Sequence, residues 1–456
     1  MEILLLYFLT LSLPFYGFSF INIGERPLLR PPWFFAGLLI LVFFLGICIR
    51  KRKTNINVVG EAVLILNLIA VLSLVALFNA ENPQFIDFFT KWAQLVFLSL
   101  LFFAISNSKT NKDELNTIFR IWICTAFFIS LYAIYQSIGR NLNLQLPLLY
   151  LTQADHFFAV KMITGTYGGF IRCSSIFSEP SFIGSYLIAP ILFLGISLAY
   201  KPAEFAIFRR SNLKWFIFFT MVCALLLSFS LAAYITLVMM CVFIFLHKKL
   251  RWKVLKIGLI TLVTISFIIL GLNCFKMNFL SGFSRVKHEY IRFIAKSVAT
   301  GSIRQRLLHN LRAIKIWSDH PLLGVGINNV PYYHNTYSPP AWLEGDPIEE
   351  YGGGNMWAMA LGEMGIVGFG GLALLWISAL LKMRQYVRIT RNNSNSSFLA
   401  LVFYYVLLGE AINSLFSHQF IHIQRWFYLS LAVLVMFYIN SVTNHNKSVI
   451  DSRQGK

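Results

Sequence analysis

Two arginine residues, far apart in the chain, stand beside long apolar stretches where they could bind an anion. Arg172 opens the segment Arg172-Cys-Ser-Ser-Ile-Phe-Ser-Glu-Pro-Ser181 before one such stretch, and Arg306 lies in the longest polar region. A guanidinium group is always charged and grips phosphate oxygens through two N–H groups. On one side of a membrane, the two arginines predict a site for a phosphate carried on a lipid.

Membrane helices must position these arginines. The chain has 456 residues, of which 57% are hydrophobic and 13% are charged. Apolar stretches of about 17–25 residues recur throughout, each long enough to cross the hydrocarbon as a helix. We predict an all-α polytopic membrane protein with about twelve spans: 3–21, 32–49, 56–79, 87–106, 117–138, 181–200, 214–228, 231–247, 256–274, 356–380, 398–417 and 426–441.

The net charge of +20 is explained better by membrane topology than by nucleic-acid binding. Cytoplasmic loops of membrane proteins collect Lys and Arg. The clusters at 50–53, 209–214, 248–256 and 382–391 fall on one side if both termini are cytoplasmic. We interpret residues 1–21 as a retained span rather than a signal peptide, because Glu2 replaces a basic start and no small-residue cleavage site follows.

The spans divide the chain into four regions. These are 1–274 with the first nine spans, a large outer loop at 275–355, 356–441 with the last three spans, and a polar, disordered cytoplasmic tail at 442–456. Residues 214–247 predict two short spans joined at Ser228–Ser230, or else a re-entrant hairpin. The six cysteines show no metal or disulfide spacing, and a pairing of Cys173 with Cys274 stays open.

The large outer loop is strongly basic in its first half, against the usual charge rule. Such a surface attracts anionic ligands or lipid headgroups. Residues 303–317 predict an amphipathic helix with Leu307, Leu311, Ile314 and Trp317 on its apolar face. After it, Pro321-Leu-Leu-Gly-Val-Gly326 predicts a tight turn that needs the backbone freedom of glycine.

Three motifs in this order resemble those of the O-antigen ligase and polymerase superfamily. They are the arginine-led RCSSIFSEPSFIGSY at 172–186, Arg306 followed at fixed spacing by Pro-x-x-Gly-x-Gly at 321–326, and NMWAMALGEMGIVG at 355–368. The resemblance spans about 172–368. It implies a GT-C-like membrane glycosyltransferase of the bacterial inner membrane, with one large helical periplasmic loop.

The details of the motifs favour a repeat-unit polymerase of the Wzy type over a ligase. Ligases of the superfamily place His-Asn at the head of the return helix, whereas this chain has Gly354 before Asn355. The nearest His-Asn pair is His334-Asn335. The first motif, with Glu179-Pro180, also resembles polymerases more. The resemblance implies the polymerisation of polyprenyl-diphosphate-linked repeat units of O-antigen, capsule or exopolysaccharide.

In that reaction an acceptor sugar hydroxyl attacks the anomeric carbon and the diphosphate leaves. The reaction requires no cofactor, because a diphosphate is a good leaving group once its charge is held. Arg172 and Arg306 are candidates for this task, His334 for the general base and Glu179 for a functional carboxylate near the membrane. The candidate substrate-binding residues are Arg304, Arg312, Tyr333, Tyr337, Asn355 and Arg425.

Each assignment competes with a structural role. Arg172 could snorkel at the interface, Glu179 could orient Arg172, and His334 could be a loop histidine without a function. The expected partners are the lipid-linked substrate and membrane lipids, and the resemblance implies a separate chain-length regulator and flippase as well. Alternative functions are an O-antigen ligase acting on lipid A-core or protein, and, from another class, a lipid-linked glycan flippase. The absence of paired halves opposes the flippase.

Overall fold

The computed structural model describes most of the chain, with gaps in the loops. The described residues are 1–17, 21–23, 26–51, 54–78, 83–142, 166–167, 170–177, 179–200, 202, 205, 208, 210–247, 250–253, 255–261, 263, 301–333, 354–390, 394–417 and 421–454. Of the predicted span 256–274, only residues 256–261 and 263 are among them. His334 and Tyr337 also lie outside them.

Helices dominate the described chain, with two short antiparallel hairpins in addition. The hairpins pair β1 (Ile21–Ile23) with β2 (Arg26–Leu29) and β3 (Thr166–Tyr167) with β4 (Phe170–Ile171). The helices are α1 (Glu2–Ser12), α2 (Pro31–Arg50), α3 (Val58–Leu72), α4 (Leu74–Leu77), α5 (Phe85–Ser106), α6 (Lys112–Asn141), α7 (Pro180–Tyr200), α8 (Ser211–Leu227), α9 (Leu231–Phe245), α10 (Gly301–Asp319), α11 (Met356–Ile389), α12 (Ser394–Asn413) and α13 (Ile423–Gln454).

Eight helices of the described residues are long and apolar enough to cross a membrane, and three shorter apolar helices accompany them. The prediction of an all-α polytopic membrane protein is confirmed. Residues 211–245 form two helices that meet at Ser228–Ser230, where Phe229 has a positive φ of 47°. A turn was therefore correctly predicted at this position.

Two predictions about the ends of the chain are wrong. The first span was predicted at 3–21, but α1 ends at Ser12 and a 3-10 helix continues only to Gly17. Pro14 lacks an N–H and its ring opposes a continuing α-helix. The tail from 442 was predicted to be disordered, yet α13 extends to Gln454. Extending a formed helix costs little compared with nucleating one.

Helices α6, α7, α12 and α13 pack around an aromatic core. The ring of Phe193 lies 5.0 Å from that of Phe119 and 5.8 Å from that of Trp122, and Tyr428 lies 5.3 Å from Trp122. Phe403 joins this group at 5.7 Å from Phe119. These side chains are nearly fully buried, whereas α2 and α3 expose many apolar residues. The latter two helices thus present faces suited to lipid.

Close contacts between these helices depend on small residues. A Cβ at Gly184 of α7 would lie 2.8 Å from the Cβ of Ala233 and 2.9 Å from that of Ser230, both at the start of α9. Membrane helices associate largely through such close packing, since lipid is as apolar as the side chains. Gly184 therefore fixes the spacing of α7 and α9 beside Arg172.

Helix α11 is broken at Gly365 into a first limb (356–364) and a second limb (366–389). Gly365 has φ 65° and ψ −163°, values outside the helical region. The rings of Trp357 and Phe369 lie 5.8 Å apart, although a straight helix would separate these residues by about 18 Å along its axis. The first limb therefore folds back on the second. The second limb, at about 36 Å, is long enough to cross a membrane alone.

Candidate functional site

One end of the helix bundle gathers the predicted site residues that the structure describes. We call it the motif end. Here α7 begins near the end of α12, with Ser185 Oγ donating to Asn413 Oδ1 at 3.3 Å. The backbone N–H of Met356 donates to Ser414 O at 3.1 Å, which joins the first limb to the same place. The rings of Phe182 and His422 stack 6.2 Å apart, so α13 begins here as well.

Arg172 is half-buried at the motif end and is held by a backbone carbonyl. Its Nε donates to Ser228 O at 3.0 Å. The next residue follows the same path, since the N–H of Cys173 donates to Leu227 O at 3.2 Å. The last carbonyls of a helix are without partners in their own helix, and α8 therefore offers a fixed anchor. One edge of the guanidinium group is occupied by Ser228, which orients the rest of it.

A buried glutamine shapes the turn that follows Arg172. Gln136 Oε1 accepts from the backbone N–H of Ser174 at 3.0 Å and from that of Ser175 at 2.9 Å. Ser175 has a positive φ of 54°, and its Oγ donates to Ile129 O at 2.9 Å. These bonds fix the turn against α6, so the placement of Arg172 is determined by packed elements rather than by a loose loop.

Cys173 is a buried free thiol whose Sγ lies 3.7 Å from Ala224 O. Burial raises the pKa of this thiol to about 12, against the opposing charges of Arg172 and Arg140. A thiol so protonated and enclosed is a packing residue. The open possibility of a pairing with Cys274 is not realised at Cys173, and Cys274 lies outside the described residues.

Glu179 stands immediately before α7 and is half-buried. Its Oε2 accepts from Ser181 Oγ at 2.8 Å, and its carbonyl accepts from the N–H of Phe182 at 3.1 Å. A carboxylate at a helix N-terminus is stabilised by the helix dipole. The contacts seen here therefore give Glu179 a structural role in starting α7, in addition to the functional role predicted for it.

The Pro321–Gly326 motif and the break of α11 are interlocked through their backbones. The N–H groups of Val325 and Gly326 donate to the carbonyls of Gly362 and Glu363, at 3.1 and 2.8 Å. In return the N–H of Ile366 donates to Pro321 O at 2.8 Å. The break frees backbone groups that must be satisfied elsewhere, and the motif satisfies them.

Glycines in both motifs are required by this contact. Gly324 has φ +65°, and a Cβ there would lie 2.5 Å from the carbonyl carbon of Glu363. A Cβ at Gly365 would lie 2.6 Å from the backbone N of Leu323. Both obstacles are backbone atoms that cannot rotate away. Two of the three resembling motifs are thus two halves of one structural unit.

Helix α10 forms as predicted, but it buries a different face. The expected apolar face contained Ile314, which is exposed, whereas the buried residues are Leu308, His309, Arg312, Ala313 and Ile316. The cause is close packing: a Cβ at Gly362 of the first limb would lie 3.1 Å from the Cα of Ala313. Two small residues bring the helices together, and Leu307 and Leu311 are left only half-buried.

Two polar side chains of α10 are therefore buried. His309 is 5% exposed and Arg312 is 9% exposed. Burial, and secondarily the charge of Arg312, lowers the pKa of His309 to about 4, and burial also lowers the pKa of Arg312. In the part of the chain that the structure describes, His309 Nε2 and Arg312 Nε have no hydrogen-bond partner.

Asn355 joins α10 to α11. Its side chain accepts from the N–H of Ala358 at 2.6 Å and so caps the first limb. Its own N–H donates to Asn310 Oδ1 at 2.6 Å. Asn355 was predicted to bind substrate, and the contacts observed for it are those of a helix cap.

The remaining predicted site residues of the large outer loop differ in burial and in whether the structure describes them. Arg306 is half-buried on α10, one turn before His309. Tyr333 is buried in a small cluster with Ile316, Val325 and Val330, so its ring is used in packing. Arg304 lies on α10, in a part whose side chains are not described, and His334 and Tyr337 lie outside the described residues.

Arg425 at the start of α13 is buried and paired with Glu410 of α12. Its Nε lies 3.7 Å from Glu410 Oε2, with both side chains under one-tenth exposed. Its Nη1 lies 3.6 Å from Met356 Sδ of the first limb. This pair was not anticipated, because Glu410 lies within a predicted span. It joins three elements at the motif end and also lines a narrow apolar crevice with Leu372 and Trp376.

A second polar contact ties α5 to the loop after α10. Tyr332 donates to Asp87, and Gln84 donates from its backbone N–H to Asn329 Oδ1 at 3.2 Å. The Glu363 carboxylate accepts from the backbone N–H of Asn328, and Lys91 lies near it. These contacts give Glu363 a structural role. No cluster of three His, Cys, Asp or Glu side chains suited to a metal occurs among the described residues.

The motif end therefore joins cationic, hydrogen-bonding and glycine-dependent elements that the resemblance had identified separately. Residues 216–373, from α8 into the second limb, match the family described as O-antigen ligase. No curated protein matches the chain. The family match supports a glycosyltransferase-like enzyme with a role in glycan transfer on lipid-linked glycans. The long apolar helices make the chain a multi-pass membrane protein. Over residues 216–373 the chain is thus similar to the O-antigen ligase family, in agreement with the superfamily resemblance of the three motifs.

Proposed function

We propose that the protein polymerises polyprenyl-diphosphate-linked oligosaccharide repeat units into a surface polysaccharide, at the periplasmic face of the bacterial inner membrane. The observation that carries the proposal is the set of arginines at the motif end. Arg172 is oriented by Ser228 O, and Arg306 projects from the helix that packs on the first limb. With both termini cytoplasmic, as the basic clusters indicate, this end faces the periplasm.

The chemistry asked of the arginines is to hold negative charge. The acceptor hydroxyl forms a bond to the anomeric carbon, and the bond from that carbon to the diphosphate oxygen breaks with its electron pair. Charge grows on the leaving diphosphate, and fixed cations aimed at it stabilise the transition state. In our proposal Arg172 and Arg306 hold the diphosphate, with Arg304 adding positive charge nearby. Glu179 starts the helix beside Arg172.

The head of α11 supports polymerase rather than ligase activity. The ligase pattern requires a histidine before the asparagine of the return helix, and this chain has Gly354 there. A Cβ at this position would lie 2.6 Å from Asn310 Oδ1, which is too close for any side chain. The packing of α10 therefore opposes a larger residue at 354. His334 and Tyr337 remain predicted contributors to the acceptor site.

Reconstitution tests the proposal directly. The purified full chain in nanodiscs is incubated with a polyprenyl-diphosphate-linked repeat unit, and the lipid-linked products are separated on a gel. We expect a ladder of oligomers that disappears in Arg172→Ala and in Arg306→Ala. Arg384→Ala is the matched control, because Arg384 is exposed near the opposite end of the second limb.

The other outcomes separate the alternatives. Transfer that appears only after lipid A-core or an acceptor protein is added would identify a ligase. Movement of the lipid across vesicles without any product would identify a flippase. Retention of the ladder in both Arg172→Ala and Arg306→Ala would refute the proposed diphosphate site.

A further inference from the structure

His309 lies where α10 meets the head of α11. It is 5% exposed. A Cβ at Gly354 would lie 3.3 Å from His309 Cβ, and the adjacent Asn310 Oδ1 accepts from the N–H of Asn355 at 2.6 Å. The glycine at 354 and the cap at 355 therefore fix the position of the His309 backbone and Cβ. No role was predicted for this histidine.

Two buried polar atoms of this region lack a hydrogen-bond partner among the described residues. Within the described residues, neither His309 Nε2 nor Arg312 Nε makes a hydrogen bond, although both are buried. Buried polar groups are almost always satisfied by protein, water or a bound molecule, and leaving them unsatisfied is costly. One acceptor-capable nitrogen and one N–H donor, three residues apart on one helix, match a hydroxyl-bearing ligand such as a sugar.

The protonation state of His309 suits it to receive a proton. Burial, and secondarily the Arg312 charge, lowers the pKa of His309 to about 4, so the imidazole is neutral near pH 7. A neutral imidazole has one nitrogen lone pair free. Arg306 precedes His309 by three residues, a spacing that puts the two side chains on neighbouring turns of one helix face, about 5–6 Å apart at their Cβ atoms.

We propose that His309 is the base that receives the proton of the acceptor hydroxyl. The proton passes to His309 Nε2 as the acceptor oxygen bonds to the anomeric carbon, and the bond to the diphosphate oxygen breaks with its electrons leaving on the diphosphate. Arg312 Nε donates to an oxygen of the acceptor sugar. The assignment rests on the proposed function, and it replaces His334 as the base with a residue from a different element.

The test uses the reconstituted full chain and the lipid-linked repeat unit, with rates measured over substrate concentration. We expect His309→Gln to lower kcat by about 10²-fold or more, with KM changed less than about threefold. His247→Gln, at the opposite end of the bundle, is the histidine control and keeps its rate. His334→Gln is the direct rival, and its kcat is expected to fall far less than that of His309→Gln.

Two further variants separate catalysis from structure. Added imidazole is expected to restore turnover to His309→Ala but not to Arg306→Ala. A purely structural histidine would not be rescued by added imidazole.

Several results overturn the inference. A folded His309→Gln with normal kcat excludes the base, as does a His309→Ala variant that imidazole does not rescue. Loss of kcat in His334→Gln alone assigns the base to His334. In each of these cases the wild-type ladder persists and the proposed function stands. Absence of product from the wild-type chain with every acceptor refutes the proposed function itself.

Discussion

Replacing Gly365 by alanine should separate the Pro321–Gly326 motif from α11. The position has φ 65° and ψ −163°, in a region that side chains avoid at a cost of about 1–3 kcal/mol. The new Cβ would lie 2.6 Å from Leu323 N and closer still to Leu322 O. Both are backbone atoms, so relief requires moving the loop away.

Movement of the loop weakens the backbone hydrogen bonds that join it to α11. Four are present, from the N–H groups of Val325, Gly326, Ile366 and Val367, each worth about 1 kcal/mol. With the backbone strain, we expect Gly365→Ala to destabilise this contact by roughly 3–6 kcal/mol. Amide hydrogen exchange at the four N–H groups should then accelerate by about 10²- to 10⁴-fold.

Gly370→Ala is the matched control. It lies in the second limb of the same helix, and a Cβ there meets no atom within 4 Å. Alanine in a helix interior is favoured over glycine by about 0.5–1 kcal/mol, so exchange at the four amides should not rise. Equal exchange in the two variants would refute the argument that Gly365 is required by the backbone of the motif.

Three other perturbations have expected outcomes. The pKa of His309 is about 4 folded and about 6.5 unfolded, so the unfolded chain binds the proton first. About 3 kcal/mol of folding stability is therefore lost as the pH falls from 6.5 to 4. Unfolding in detergent, measured over this pH range, tests the loss. The same dependence of stability on pH in His309→Gln would contradict it. Glu410→Ala removes the carboxylate paired with the buried Arg425 and should cost about 3–5 kcal/mol. Glu410→Ala with Arg425→Leu should recover most of that loss in the same assay, and additive losses would count against the pair. In Arg172→Lys the ammonium group cannot keep both the bond to Ser228 O and a phosphate contact, and the lost contact is worth about 1.5–3 kcal/mol. The KM for the lipid-linked donor should therefore rise roughly 10- to 150-fold. An unchanged KM would indicate that Arg172 only snorkels at the interface.

Sequence patterns predicted the helices better than their contacts. Hydropathy located every long apolar helix that the structure describes, because spans must be continuous, apolar and about 20 residues long. It overestimated the first span, where Pro14 interrupts an otherwise apolar run. Helix α10 was also predicted, but its buried face was not. The repeat of large apolar residues predicted one buried face, whereas the packing of Gly362 against Ala313 buries another.

For the candidate site too, the sequence predicted which residues take part better than it predicted their contacts. The motifs identified Arg172 and Arg306 and the essential glycines, because residue type and spacing carry that information. They did not reveal that Ser228 O orients Arg172, since that contact joins segments distant in the sequence. Another His-Asn pair, His309-Asn310, is also visible in the sequence. It was not selected as a candidate because its place in the site depends on its packing against Gly354, and residue spacing within one segment cannot predict such a contact.

The interlock at Gly365 also constrains how the protein is made. The ribosome releases residues 321–326 before it has synthesised 362–367, so the loop must wait for its partner to enter the membrane. Until then the backbone groups at the break can pair only with one another, Gly362 O with the N–H of Ile366 and Glu363 O with that of Val367, in an unbroken helix. The bonds to the loop replace these pairs. Docking of the loop is therefore a late step of biogenesis. It completes the insertion of α11 in the same event that assembles the two motifs.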